Sequence, residues 1–242
     1  MLSIRDLTAG YGDTQVLFGT TLDVRPGEVT AIIGSNGVGK TTLLRTISGL
    51  IKPTGGSITH NGVEIGGRPS DDIVERGIVL VPEGRRLFPR MSVRRNLELG
   101  AYSKRARKHL AERLQYVFDL FPILKEREQQ LGGTLSGGQQ QMCAIARGLV
   151  AMPEVLMLDE VSLGLAPVAI ARVYEAIKAI RDTGVTLLIV EQNISQALSV
   201  ADRAYVIQHG RVAMSGTGRE LAQNADVKRV YLGLAPQRED AK

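Results

Sequence analysis

Three short stretches of this chain carry residues able to do chemistry together. The first is Gly34-Ser35-Asn36-Gly37-Val38-Gly39-Lys40-Thr41. Its glycines let successive backbone N–H groups turn toward one centre and form an anion nest. A helix opening near Lys40 adds its positive dipole end. In such a loop Lys40 reaches the β- and γ-phosphates of a nucleoside triphosphate. The Thr41 hydroxyl ligates Mg²⁺, and Thr42 adds an α-phosphate contact.

The second stretch is Val155-Leu156-Met157-Leu158-Asp159-Glu160. Four apolar residues make a buried strand, and Asp159 emerges at its C-terminal end, where ligands gather in α/β sheets. An aspartate there holds a magnesium shell. Glu160, one residue on, is placed to orient and deprotonate an attacking water. The third stretch, Leu135-Ser136-Gly137-Gly138-Gln139, opens a helix. Ser136 caps it and offers a hydroxyl, while Gly137 and Gly138 permit close backbone approach.

These residues need a frame. Strand patterns cover residues 2–7, 15–24, 28–33, 57–61, 63–65, 78–81, 155–158, 185–190 and 204–208, with an Asn61-Gly62 hairpin turn. Helical periodicity covers residues 41–48, 93–102, 104–120, 139–150 and 167–181. Strands alternating with helices predict an α/β sheet of parallel character. Residues from 84 to about 150 are helix-rich and charged. They read as a helical insertion between core segments 1–83 and 151–242 of a single domain. The tail from 236 to 242 is polar and reads as frayed.

Composition narrows the classes. The 242 residues are 43% hydrophobic and 23% charged, an ordinary globular balance. No apolar run has the roughly 18–20 residues needed to cross a bilayer, and the start is too charged for a signal peptide. The expectation is a cytoplasmic chain. The lone Cys143 lies in an apolar helical pattern and reads as a buried structural thiol. Three histidines and no His/Cys cluster argue against structural zinc. A net charge of +5 allows an anionic partner but reads as a solvated surface.

Taken together, the three stretches resemble the ATP-binding cassette (ABC) family over nearly the whole chain. The resemblance implies a P-loop NTPase with a RecA-like core, an antiparallel β subdomain and an inserted helical signature subdomain. It implies ATP hydrolysis with Mg²⁺, in a sandwich dimer where Ser136, Gly137, Gly138 and Gln139 serve the nucleotide held by the other subunit. It gives Tyr11 the role of stacking on adenine. Residues 83–95, with Phe88-Pro89 flanked by five arginines, become the docking segment for a membrane permease.

Departures from the family pattern point to one branch. Glu83 stands at the Q-loop position, Gln192 replaces the switch histidine, and Ala166 stands where an aspartate is usual. With Val81-Pro82-Glu83-Gly84-Arg85-Arg86, Val190-Glu191-Gln192-Asn193 and Tyr231-Leu232-Gly233-Leu234, they are similar to the second ATPase subunit of branched-chain amino-acid importers. Val161 is odd even there, where proline is usual. The resemblance implies a second ATPase subunit as partner, in a heterodimer or, in isolation, a homodimer. It also implies two permease subunits, a periplasmic binding protein acting indirectly, and a peripheral place on the inner membrane face. Glutamine donates a hydrogen bond but carries no charge at neutral pH, so the site built on this chain's phosphate loop is expected to hydrolyse more slowly than its partner's. Importers of urea, amides or other small solutes are the alternative. A nucleic-acid or ribosome role is disfavoured: only 95 positions separate Lys40 from Leu135, and the chain carries one cassette.

Overall fold

The computed structural model describes residues 1–227. The polar tail and Tyr231-Leu232-Gly233-Leu234 lie outside the described residues. The chain runs β1 (Leu2–Tyr11), β2 (Thr14–Val24), β3 (Val29–Ile33), α1 (Lys40–Ile47), β4 (Gly55–His60), β5 (Val63–Glu64), α2 (Ser70–Glu75) and β6 (Ile78–Val81). Five helices follow: α3 (Val93–Glu98), α4 (Lys104–Lys108), α5 (Leu110–Leu120), α6 (Pro122–Glu126) and, after a short 3₁₀ turn, α7 (Gly137–Val150). The chain then runs β7 (Val155–Asp159), α8 (Pro167–Asp182), β8 (Thr186–Glu191), α9 (Ile194–Val200), β9 (Arg203–Gln208), β10 (Arg211–Thr217) and α10 (Gly218–Gln223).

Two sheets result. A six-stranded sheet has the order β10-β9-β3-β8-β7-β6, parallel except for β10. A four-stranded antiparallel sheet has the order β2-β1-β4-β5. The parallel strands are apolar at nearly every position because both their faces are covered. Alternation decides which cover each residue meets. Ala31, Ile33, Leu156, Leu158, Leu187 and Ile189 pack into the core shared with α3, α5, α7 and α8. Ile32, Met157, Leu188 and Val190 pack the other way, against α1 and the antiparallel sheet. Apart from one isolated antiparallel bridge between Ser92 and Leu131, the segment between β6 and β7 is helices and turns, held mainly through α7, which is buried along most of its length.

The expected helix over 93–102 ends at Glu98, where Leu99 and Gly100 turn the chain. The expected helix over 104–120 breaks at His109, whose φ of −108° departs from helical values. It becomes α4, capped by the Ser103 side chain, and α5. The short helices α2, α9 and α10 and the strand β10 have no counterpart in the sequence reading. Each is brief, and β10 alternates only between half-buried and exposed positions, so its hydrophobic pattern is weak.

Cys143 sits fully buried on α7. Burial pushes its thiol up to about 12, against a small opposing pull from Arg147. Only the thiolate is nucleophilic. The native chain at pH 8 is therefore expected to resist iodoacetamide, and to take up one equivalent after unfolding in guanidinium, as mass spectrometry would read.

Candidate functional site

The phosphate loop leaves β3 at Ile33 and ends where α1 begins. Gly39 sits at φ +108°, a left-handed conformation, and a Cβ there would meet the Leu17 side chain at 2.8 Å. A glycine is therefore required where the loop turns into the helix. The backbone N–H groups from Ser35 to Thr41 find no acceptor among the described residues. Exposed Ser35, Asn36 and Gly37 leave the loop open to solvent on one side. Unsatisfied donors in a glycine-rich loop at a helix N-terminus fit the phosphates of a nucleotide.

Lys40 is buried and reaches back across this loop. Its Nζ donates to the carbonyl oxygens of Gly34 at 2.9 Å and Ser35 at 3.0 Å. It also pairs with Glu160 Oε1 at 3.3 Å. From α1, Thr41 Oγ1 donates to Asp159 Oδ1 at 3.1 Å. The structure thus brings together four residues assigned to the site from sequence: Lys40, Thr41, Asp159 and Glu160. Thr42 is buried one position on, and its carbonyl accepts from Thr46 Oγ1 at 2.8 Å.

Asp159 lies 2% exposed at the end of β7. Burial pushes its carboxyl up to about 6; Glu160 and Glu83 push the same way, while the Thr41 hydroxyl and Arg45 oppose them. Glu160 follows with φ +45°, in the left-handed region, and its N–H donates to the Val190 carbonyl at 2.9 Å. A strained residue of this kind persists because its surroundings over-determine it. Among the described residues no group of three or more His, Cys, Asp or Glu side chains could hold a metal ion by itself. The Thr41–Asp159 pair is therefore suited to a cation whose remaining ligands come from phosphate and water.

Tyr11 ends β1 and is 47% exposed. Its hydroxyl accepts from Arg45 Nη1 at 3.3 Å. Tyr11, Arg45, Glu83 and Asp159 line one cleft of about 390 Å³, so the aromatic, the Q-loop residue and the strand-end carboxylate share a wall. Gln192 is exposed directly after β8.

The glycine turn at the start of α7 lies in a separate cleft. It is lined by Ser136, Gly137, Gly138, Gln139 and the start of α8, and none of its lining residues belongs to the phosphate loop. Ser136 and Gln139 form a reciprocal cap: Gln139 N–H donates to Ser136 Oγ at 3.4 Å, and Ser136 N–H donates to Gln139 Oε1 at 3.0 Å. Gly138 is required by close packing, since a Cβ there would meet Ala169 Cβ at 2.7 Å.

Sequence reasoning gave no role to Arg45 or Glu191, and placed Arg85 only among the five arginines of the expected docking segment. Arg85 (φ +64°) donates from Nη1 to Gln140 Oε1 at 3.0 Å, and its carbonyl accepts from Arg147 Nη2 at 3.3 Å. The proposed docking loop is thereby tied to α7 at two points. Glu191 had a readable signal: an acidic residue closing an apolar strand, as Asp159 does in β7.

The model of the family described as ABC transporter matches residues 17–162. The chain is 46% identical over 233 residues to a high-affinity branched-chain amino acid transport ATP-binding protein, BraG, of Pseudomonas aeruginosa, covering 96% of this chain and 100% of that one. It is 36% identical to a probable branched-chain amino acid transport ATP-binding protein, LivF, of Archaeoglobus fulgidus, over 97% of this chain and 99% of that protein. Among solved structures it superposes with a TM-score of 0.84 on an ATP-binding cassette of an ABC transporter in its ADP conformation. That pair is 26% identical, covering 96% of this chain and 98% of that one.

The raised carboxyl of Asp159 has a signed consequence. The folded state disfavours the charged form, so the unliganded chain pays nothing below about pH 4 and loses stability as pH rises to about 6. A shift of that size is worth about 3 kcal/mol. Asp159→Asn is expected to gain on the parent chain by up to that amount as pH rises through this window, read as the pH-dependent part of the difference in unfolding free energy. A difference independent of pH would contradict it.

Proposed function

The chain belongs to the ABC transporter family as an ATPase cassette, and from that premise we propose that it energises a membrane importer of branched-chain amino acids, binding Mg-ATP between itself and a second cassette. The observation that carries the ATPase site is the convergence of Lys40, Thr41, Asp159 and Glu160 beside the open N–H groups of the phosphate loop. The amino-acid reading is supported by 46% identity, end to end, to a relative named for that transport.

In this reading the loop amides and Lys40 hold the β- and γ-phosphates, and Lys40 exchanges its present carbonyl partners for phosphate oxygens. Thr41 and Asp159 would hold Mg²⁺, which when bound would neutralise phosphate charge. Release from Lys40 frees the Glu160 carboxylate to orient a water and take its proton as the water attacks the γ-phosphorus; the bond from phosphorus to the β,γ-bridging oxygen breaks, and ADP leaves with inorganic phosphate as the other product. Tyr11 stacks on the adenine, Glu83 and Gln192 flank the γ-phosphate, and Ser136 to Gln139 serve the partner's nucleotide. Among the described residues no helix is long and apolar enough to cross a membrane. The chain would act peripherally, through permease helices docked on residues 83–95 around half-exposed Phe88.

Glu160→Gln is expected to cut turnover about 100-fold or more, the range of a lost general base, while ATP binding measured by filter retention persists; Lys40→Ala should lose binding itself. In the assembled transporter, Glu160→Gln in this chain is expected to impair transport less than the equivalent change in the partner, because of Gln192. Equal loss from both would remove the proposed asymmetry. Reconstituted vesicles should show ATP-dependent uptake of leucine over urea, and the reverse preference would overturn the amino-acid assignment.

A further inference from the structure

β8 is apolar from Leu187 to Val190 and then ends on Glu191, 2% exposed. Among the described residues this carboxylate forms no ion pair; the groups beside it are Ser162, Tyr174 and Glu160. Burying a carboxylate without a counter-ion is costly, and an apolar residue would have continued the strand at no such cost. What the carboxylate does instead is hold a turn. Ser162 N–H donates to Oε1 at 3.1 Å, and Ser162 Oγ donates to Oε2 at 2.8 Å. Two donors, one on each oxygen, match an ionised carboxylate. Tyr174 of α8 is buried beside the pair, its hydroxyl outside hydrogen-bonding geometry.

The turn that Glu191 holds begins at Glu160. Its two ends are fixed to consecutive residues of one strand: Glu160 N–H on the Val190 carbonyl at 2.9 Å, and Ser162 on the Glu191 side chain. Between them Glu160 keeps its left-handed φ of +45°. The next residue after the latch is Gln192. We propose that Glu191 is a positioning residue for ATP hydrolysis: through Ser162 it fixes the turn that aims Glu160, and it sets that turn against the switch residue Gln192. Lys40, Thr41 and the phosphate loop take no part in the latch, so it governs the reacting geometry rather than nucleotide affinity.

The inference rests on Glu160 activating the water. If the Glu160→Gln chain hydrolyses ATP at the parent rate, it is that assignment which fails, whatever the Glu191 variants do. The test measures kcat and KM for ATP, ADP affinity and thermal midpoint in the full chain carrying Ser162→Ala, Glu191→Ala, both together, or Glu191→Gln. Either alanine change is expected to lower kcat about tenfold, as a misplaced catalytic group does. KM and ADP affinity should stay within about twofold. The double variant should be no worse than Glu191→Ala alone. Glu191→Gln, which keeps an acceptor for Ser162, should recover most of kcat. Unchanged kcat in Ser162→Ala overturns the proposal. So does a fall in kcat and ADP affinity that tracks the thermal midpoint, the mark of general loosening. If Glu191→Ala does not fold, Ser162→Ala and Glu191→Gln carry the same decision.

Discussion

Three parallel strands end at one level, and the rest of the site depends on it. Ile33 of β3 pairs with Glu191 of β8, and Val190 pairs with Asp159 of β7. Neighbouring strands lie roughly 4.8 Å apart, so the phosphate loop, the Asp159-Glu160 pair and the Glu191-Gln192 pair leave the sheet side by side. Slipping any one strand by a single residue would exchange its buried faces and carry its polar end away from the others. The two apolar cores forbid that slip, because each alternate residue is already matched to its own cover. Burial of Leu, Ile and Val thus fixes where the charges stand, though none of those side chains touches a nucleotide.

The charges so placed do not suit one another without a ligand. Asp159, Glu160 and Glu191 are neighbouring carboxylates, and the first and last are pushed upward by burial and by Glu160. Against them stand Lys40, paired with Glu160, and Arg45, which pulls on Asp159 from further away. Strain adds to this in the left-handed φ of Glu160. Stored repulsion and backbone strain of this sort mark sites where geometry is held for chemistry at some cost in stability. In the proposed reading a divalent cation held on a phosphate chain would give the Asp159 carboxylate the positive partner that the described residues do not bring into contact with it.

The parts of this fold with a strong local signal were legible in the sequence. The five strands of the parallel sheet are apolar over most of their length, the phosphate loop is bounded by a strand and a helix, and α7 and α8 carry long clear patterns. What stayed hidden was set by distant contacts. The break at His109 separates two helices that share one helical period, so periodicity alone runs them together. Strand β10 forms because β9 offers it an edge, and its own alternation is faint. The links from Arg85 to Gln140 and from Glu191 to Ser162 span 55 and 29 positions. The spacing of the side chains therefore gave no sign of either. The reader of the sequence sees Arg85 as one more charge in a basic loop and Glu191 as a strand end.

The second glycine turn has a logic that follows from its hydrogen bonds. The reciprocal cap satisfies the Ser136 and Gln139 amides, yet the Gly137 and Gly138 amides between them find no acceptor among the described residues. The Ser136 oxygen accepts from Gln139, so its hydroxyl proton is still free to donate. Arg85 adds a guanidinium close to Gly137. The start of α7 is thus an array of donors with a positive dipole end, and its cleft has no phosphate-loop lysine and none of the Asp159–Glu160 carboxylates. The phosphate loop, by contrast, sets its open donors beside the Lys40 ammonium and the Glu160 carboxylate. The two glycine turns thus present open donors in separate clefts of one chain, and under the proposed pairing of two cassettes the α7 start of one chain would face the phosphate loop of the other.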